Sequence, residues 1–325
     1  RALRACCRSE ADIRKRQKKQ EKLDYVQENS LEELNAAAAA MSVSETVLSS
    51  RLLSVKASER ATAPVDVWDL DRHRTWHPVV WAMISDFAEA EVQKTFLRRP
   101  PKYLVSDDLS WLDSLVLEVH GHEVDSKQVL AHRLLRHSRA IRPCHGTSTH
   151  SLEAFYEQGL RPLALEEVHE QARQIFLSGQ FPDLSETNLQ NAIQAVGPET
   201  REGRIYFEAN ERFLKEMCGH YMLYGSEYLI ALAANLGGIR DYRRVLKGRY
   251  APTLLICDVP LEHLHTGTVA EFAGIALESV FQELIDGPTY APDKWRGSAF
   301  SIRAPLDPSC IFGHCHPTIT RDPLQ

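Results

Sequence analysis

The sequence predicts an α+β fold, with mostly helical segments ahead of a mixed domain over residues 139–325. Three observations carry that expectation. Short β-like runs occur at "AIRPCHG", "RIYFE" (204–208), "PTLLICDV" (252–259) and "AFSIRA" (299–304). Helical stretches of unequal length lie between them. The β-like runs begin only near residue 139, where the character of the chain changes.

Residues 1–63 read as polar and helical, passing into a linker at "KASERATAP", Lys56 to Pro64. The basic run "IRKRQKKQEK" fits a solvated helix face. Residues 64–138 read as a second helical region. In "TWHPVVWAMISDFAEAEVQKTF", Val79, Val80, Met83, Ile84 and Phe87 fall at helical spacing, and "RRPPKY" then breaks the pattern. Asp125 is a candidate cap for "DSKQVLAHRLLRHS". Within 139–325, the helix at 151–158 places Leu152, Phe155 and Tyr156 on one face and ends at Gly159. "LEEVHEQARQIFLSG" and "LSETNLQNAIQAVG" are amphipathic, with stops at Gly179 and Gly197. "GSEYLIALAANLGG" reads as a largely buried helix, and "TVAEFAGIALESVFQELIDG" as a longer one capped by Thr268 and closed by Gly287.

Composition narrows the class. Apolar residues make up 43% and charged residues 25% of 325, enough for at least one full core. A net charge of -6 does not point to a nucleic-acid binder. No apolar run approaches the roughly 18 residues of a membrane span. The first residues lack a signal-peptide hydrophobic segment. Seven irregularly spaced cysteines argue against a disulfide framework and for a reducing compartment. The expectation is a cytoplasmic protein, or one delivered into the cytosol of a target cell, with no membrane partner.

The stretch "CHGTSTHSLEAFYEQGLRPL" concentrates the chemistry. A glycine beside a strand can bring backbone N–H and C=O close to a ligand carboxamide. A neighbouring histidine can bond a sugar hydroxyl. This stretch resembles the first strand and following helix of the ADP-ribosyltransferase superfamily. The resemblance is to the diphtheria-toxin and poly(ADP-ribose) polymerase branch and, more distantly, to the RNA 2'-phosphotransferases. It covers about residues 139–325 and implies a split β-sandwich with flanking helices, with NAD as substrate. It further implies that His145 contacts the adenosine-side ribose and that Gly146 pairs with the nicotinamide amide. The Thr147 hydroxyl either assists there or stabilises the turn. "GRIYFEAN" resembles the strand that would bring Tyr206 to the nicotinamide. "CGHYMLYGSEYLIALAANL" resembles the segment where the family places a serine and a second tyrosine. Ser226 and Tyr228 match, with Tyr224 as a rival for the second ring.

The family's transferase branch carries a catalytic glutamate on its closing strand. Here that stretch reads Phe300-Ser301-Ile302-Arg303, and the nearest acids are Glu278 and Glu283. Glu283 is therefore the expected catalytic acid, with His145 and Tyr206 beside it. The implied activity is ADP-ribosyl transfer to a protein or nucleic-acid target, in the manner of a toxin or defence effector. The N-terminal helices would recruit a partner or hold the enzyme inactive. Two alternatives stay open: a non-catalytic NAD or ADP-ribose binding module, and an RNA 2'-phosphotransferase-like enzyme using Arg142, Arg204 and Arg303. "CIFGHCHP" suits a tetrahedral metal site poorly, because Cys315 and His316 are adjacent, and no metal is expected. Cys144 and His145 point to opposite faces of a strand, which disfavours a thiol–imidazole pair.

Overall fold

The computed structural model describes residues 63–197, 201–237, 241–291, 296–318 and 320–324. The helical reading of residues 1–62 lies outside the described residues. In chain order the elements begin with β1 (Val67–Trp68), α1 (His73–Met83), α2 (Ala90–Arg98), α3 (Ser110–His120), α4 (Ser126–His137), β2 (Ala140–Ile141) and β3 (Cys144–Thr149). Next come α5 (Glu153–Gln158), α6 (Leu165–Phe176), α7 (Glu186–Val196), β4 (Ile205–Glu208), α8 (Glu211–Met217), α9 (His220–Tyr224), α10 (Glu227–Asn235) and α11 (Arg243–Leu246). The chain continues through β5 (Ala251–Cys257), β6 (Val259–Pro260), α12 (Thr266–Asp286), β7 (Ala299–Ile302) and β8 (Ile311–Cys315).

The fold is α+β. A five-stranded sheet runs in the order β7-β4-β3-β5-β8, with every neighbouring pair antiparallel. A three-stranded sheet, β1-β2-β6, sits beside it; β1 and β2 are parallel, β2 and β6 antiparallel. Alternation along β5 assigns the two faces of the large sheet. Leu255 and Cys257 join the core built from α1–α4 and α12, whereas Leu254 and Ile256 pack with Phe213, Leu214 and Met222 from α8 and α9. A third apolar cluster joins α6, α7, α10 and α11 around Phe176, Tyr228 and Tyr242. Residues on both sides of position 139 share the first core, and β1 extends the small sheet.

Local chemistry explains the element ends. Asp125 accepts the Gln128 N–H and Ser226 accepts the Leu229 N–H, as N-caps do. The long helix α12 starts earlier than Thr268: His265 is its cap, and its Nδ1 accepts the Gly267 N–H. Gly159 closes α5 with φ +75°, and a Cβ there would lie 1.9 Å from the Leu306 carbonyl oxygen. That close approach sets the bridge between Leu160 and Leu306, which brings the chain before α6 alongside the segment after β7. Among the described residues no helix is long and apolar enough to cross a membrane.

Candidate functional site

The site is a split in the large sheet. β3 and β4 share a single register pair, Cys144 with Glu208, and then diverge. The ladder on the other side of β3 fixes which backbone groups face the gap. Cys257 N–H donates to the Pro143 carbonyl, so residues 143, 145 and 147 direct their backbone polar groups at β5. Gly146 therefore directs its N–H and C=O toward β4, where the ladder has ended. In place of a strand bond, the carbonyl of Tyr206 accepts from His145 Nδ1 at 2.9 Å.

A cavity of about 380 Å³ opens along this split, within the size range of small-molecule sites. His145, Gly146 and Thr147 line one side, and Tyr206, Ser226 and Tyr228 another. Six of the residues matched to the family motifs thus converge from three separate elements. Gly146 has a packing reason as well as a ligand reason: a Cβ there would stand 3.2 Å from Met222 and 3.4 Å from Leu214.

The protonation state of His145 follows from its partner. A carbonyl only accepts, so Nδ1 carries the hydrogen and neutral Nε2 keeps a lone pair. Burial lowers the pKa of this imidazole, and the bond to the Tyr206 carbonyl offsets part of that shift. At neutral pH His145 presents an acceptor suited to a hydroxyl. Burial also raises the Tyr206 phenol, while Arg204, Arg201 and Arg303 pull it the other way. Tyr228 is buried, and its hydroxyl is bonded to His169 Nε2 at 2.9 Å.

Two expected residues fall elsewhere. Glu283 does not line this cleft. It sits on α12 with Oε2 2.6 Å from His77 Nδ1, and His77 Nε2 is 2.9 Å from Ser279 Oγ. The cluster opens on a different cavity, lined by His73, His77, Trp81 and Tyr290. Tyr224 is turned away from the cleft, its hydroxyl donating to Asp322 at 2.5 Å. Ser226 caps α10 and also lines the cleft. Arg142 is buried, pairs bidentately with Asp258 at 2.6 and 2.8 Å, and lies over the Phe312 ring, which makes it structural. Arg204 does line the cleft.

The cleft also contains groups the sequence reading passed over. Glu208 and Glu227 are its two carboxylates. Glu208 is buried, and its Oε1 accepts the N–H groups of Asn210 and Ser298, so it organises the end of β4. Glu227 is half-buried at the first turn of α10. Its two oxygens accept from Arg201 at 3.1 Å and from the Tyr221 hydroxyl at 3.3 Å. The signal for Glu227 was its position directly after Ser226, already matched to the family. Arg161 and Arg201 also line the cavity. Among the described residues no group of three or more His, Cys, Asp or Glu is placed to hold a metal ion. Within "CIFGHCHP", His314 bonds Tyr156 and His316 bonds the Pro252 carbonyl.

No protein-family model, curated protein or solved structure matches the chain.

Proposed function

We propose that the cleft binds NAD, on an ADP-ribosyltransferase-like split β-sandwich, and that the protein transfers the ADP-ribosyl group to a macromolecular acceptor. The observation that carries the reading is the divergence of β3 and β4, which leaves the Gly146 backbone facing an open cavity between His145 and Tyr206. NAD supplies an ADP-ribosyl group on a C1′–nitrogen bond that breaks with the electron pair leaving on nicotinamide. Gly146 pairs its N–H and C=O with the nicotinamide carboxamide. Tyr206 provides aromatic surface to a flat ring, and Tyr228, buried in the wall with its hydroxyl on His169, backs the cavity. His145 Nε2 accepts from a ribose hydroxyl, and Thr147 and Ser226 offer further hydroxyls. Arg161 and Arg204, neither paired with a carboxylate among the described residues, face the pyrophosphate charge.

Glu227 takes the role that Glu283 cannot fill. Its carboxylate is held at the cleft wall by Arg201 and Tyr221, where it stabilises positive charge developing at C1′ as the bond breaks. The acceptor's lone pair then closes on C1′ and its proton passes to solvent or to this carboxylate.

A second reading has its own observation. Three arginines, Arg161, Arg201 and Arg204, line one cavity, which favours RNA 2'-phosphate transfer to NAD. One experiment separates the readings: incubate the chain with adenylate-labelled NAD, with cell extract, and separately with 2'-phosphorylated RNA. Nicotinamide release with label on a macromolecule, abolished in Glu227→Gln, supports the transferase. Dephosphorylation of the RNA that survives Glu227→Gln supports phosphotransfer. Saturable NAD binding with no turnover in either arm leaves a binding module.

A further inference from the structure

We propose that the connection between α2 and α3 is a docking motif for a proline-reading module of the WW type. Residues 100–103 read Pro-Pro-Lys-Tyr, a Pro-Pro-x-Tyr pattern in a chain of only 16 prolines and 10 tyrosines. Two successive prolines fix φ near −65°, and the second drives the first into the extended region. Pro100 is therefore restricted to the polyproline II region and Pro101 to its φ before any partner arrives, which lowers the ordering cost of binding.

The tyrosine is the second observation. Tyr103 is 70% exposed, whereas Tyr224, Tyr228 and Tyr242 are buried. Tyr156, Tyr224 and Tyr228 each spend their hydroxyl on an internal partner. The Tyr103 hydroxyl makes no hydrogen bond among the described residues, and its ring meets only the Lys102 ammonium, 5.1 Å from the ring centre. An exposed contact of that kind opens at little cost.

The motif is also presented between fixed ends. Before it, the Arg99 N–H closes α2 on the Thr95 and Phe96 carbonyls. After it, Leu104 packs on the main core and the Trp111 indole donates to the Val105 carbonyl at 3.3 Å. Aromatic grooves recognise such preformed proline segments. The partner is a module whose paired aromatic rings grip Pro100 and Pro101, whose neighbouring pocket takes the Tyr103 ring, and whose rim is acidic toward Lys102; Arg99 is already paired with Glu118. The second proline that an SH3-type groove reads in a Pro-x-x-Pro pattern is missing, because Tyr103 stands there.

The test is a calorimetric titration of the full chain with a panel of purified WW domains that read Pro-Pro-x-Tyr, alongside an SH3 domain. Saturable binding to at least one WW domain is expected, weakened at least about tenfold (about 1.4 kcal/mol) by Tyr103→Ala and by Pro101→Ala, with the melting temperature of both variants unchanged. The same affinity should hold in His145→Ala, since the motif is independent of the cleft. No binding by any WW domain, binding undiminished by Tyr103→Ala, or binding by the SH3 domain alone would overturn the proposal.

Discussion

His145 and His77 invite comparison because each is a histidine whose pKa burial lowers, and each stands beside a cavity. They differ in what is left over. His145 spends Nδ1 on the Tyr206 carbonyl, and among the described residues its Nε2 has no hydrogen-bond partner. His77 spends both ring nitrogens, on Glu283 and on Ser279, and Ser279 is in turn bonded to Tyr290. The first ring is oriented by its surroundings and remains able to bond a ligand. The second is a latch that ties α1 to α12 and the segment after it. A polar cluster beside a cavity is thus not a site unless some of its bonding capacity is unspent.

The largest expected effect breaks the comparison on the acid side. Glu227→Gln should lower the rate of nicotinamide release by about 10²- to 10³-fold with little change in KM for NAD, the cost of removing one preorganised charge from a transition state. Steady-state kinetics on the two proteins checks it. An unchanged rate constant in a wild-type chain that consumes NAD would return the acid to another residue.

How much of this was legible in the sequence depends on the distance between partners. The strand carrying His145 and Gly146 was legible because strand and turn chemistry is local, whereas Tyr206 and Ser226 were singled out only by the resemblance; the structure brings all four to one cavity. Thr268 failed as a cap because His265, just upstream, satisfies the first turn of α12. Glu283 was misplaced because its partner, His77, lies 206 positions away. Tyr224 was likewise claimed by Asp322, 98 positions on, and Arg142 by Asp258, 116 positions on. Local pattern carries no record of such pairings; only the packed sheet and helices decide them.

A third histidine sharpens the contrast through pH. His314 is buried, shares a 2.9 Å hydrogen bond with the Tyr156 hydroxyl through Nδ1, and has its pKa lowered to about 4, chiefly by burial. The unfolded chain binds this proton near pH 6.5 and the folded chain does not, so the unfolded state gains protons first as pH falls. Stability is then fully present above pH 6.5 and drops by about 2–3 kcal/mol as pH falls from there to about 4. Chemical denaturation across that window checks it, and His314→Asn should flatten the slope.

Next in size is the latch itself. His77→Ala empties a site only 4% exposed and removes the bonds to Glu283 and Ser279, of which Ser279 keeps Tyr290; it should cost about 2–3 kcal/mol of stability. Glu283→Ala should cost about 1 kcal/mol, because a carboxylate 37% exposed lets water take its place. Neither should alter NAD turnover by more than about twofold, a difference of about 0.4 kcal/mol. Loss of turnover in Glu283→Ala at unchanged stability would reverse the two clusters' roles.

The smallest effect concerns the ring that the cleft holds in reserve. His145→Ala removes one neutral hydrogen bond to the ligand, worth about tenfold in NAD affinity. Its pH dependence separates that bond from a merely structural part. Protonation would turn Nε2 from acceptor into donor, and burial holds the pKa below the ordinary histidine value, so affinity should stay flat from pH 8 to 6.5 and decline only below that range. Titrations at several pH values on the wild type and on His145→Ala check it. If the decline persists unchanged in the variant, His145 is as fully spent as His77, and the distinction between the two clusters rests on Gly146 and Tyr206 alone.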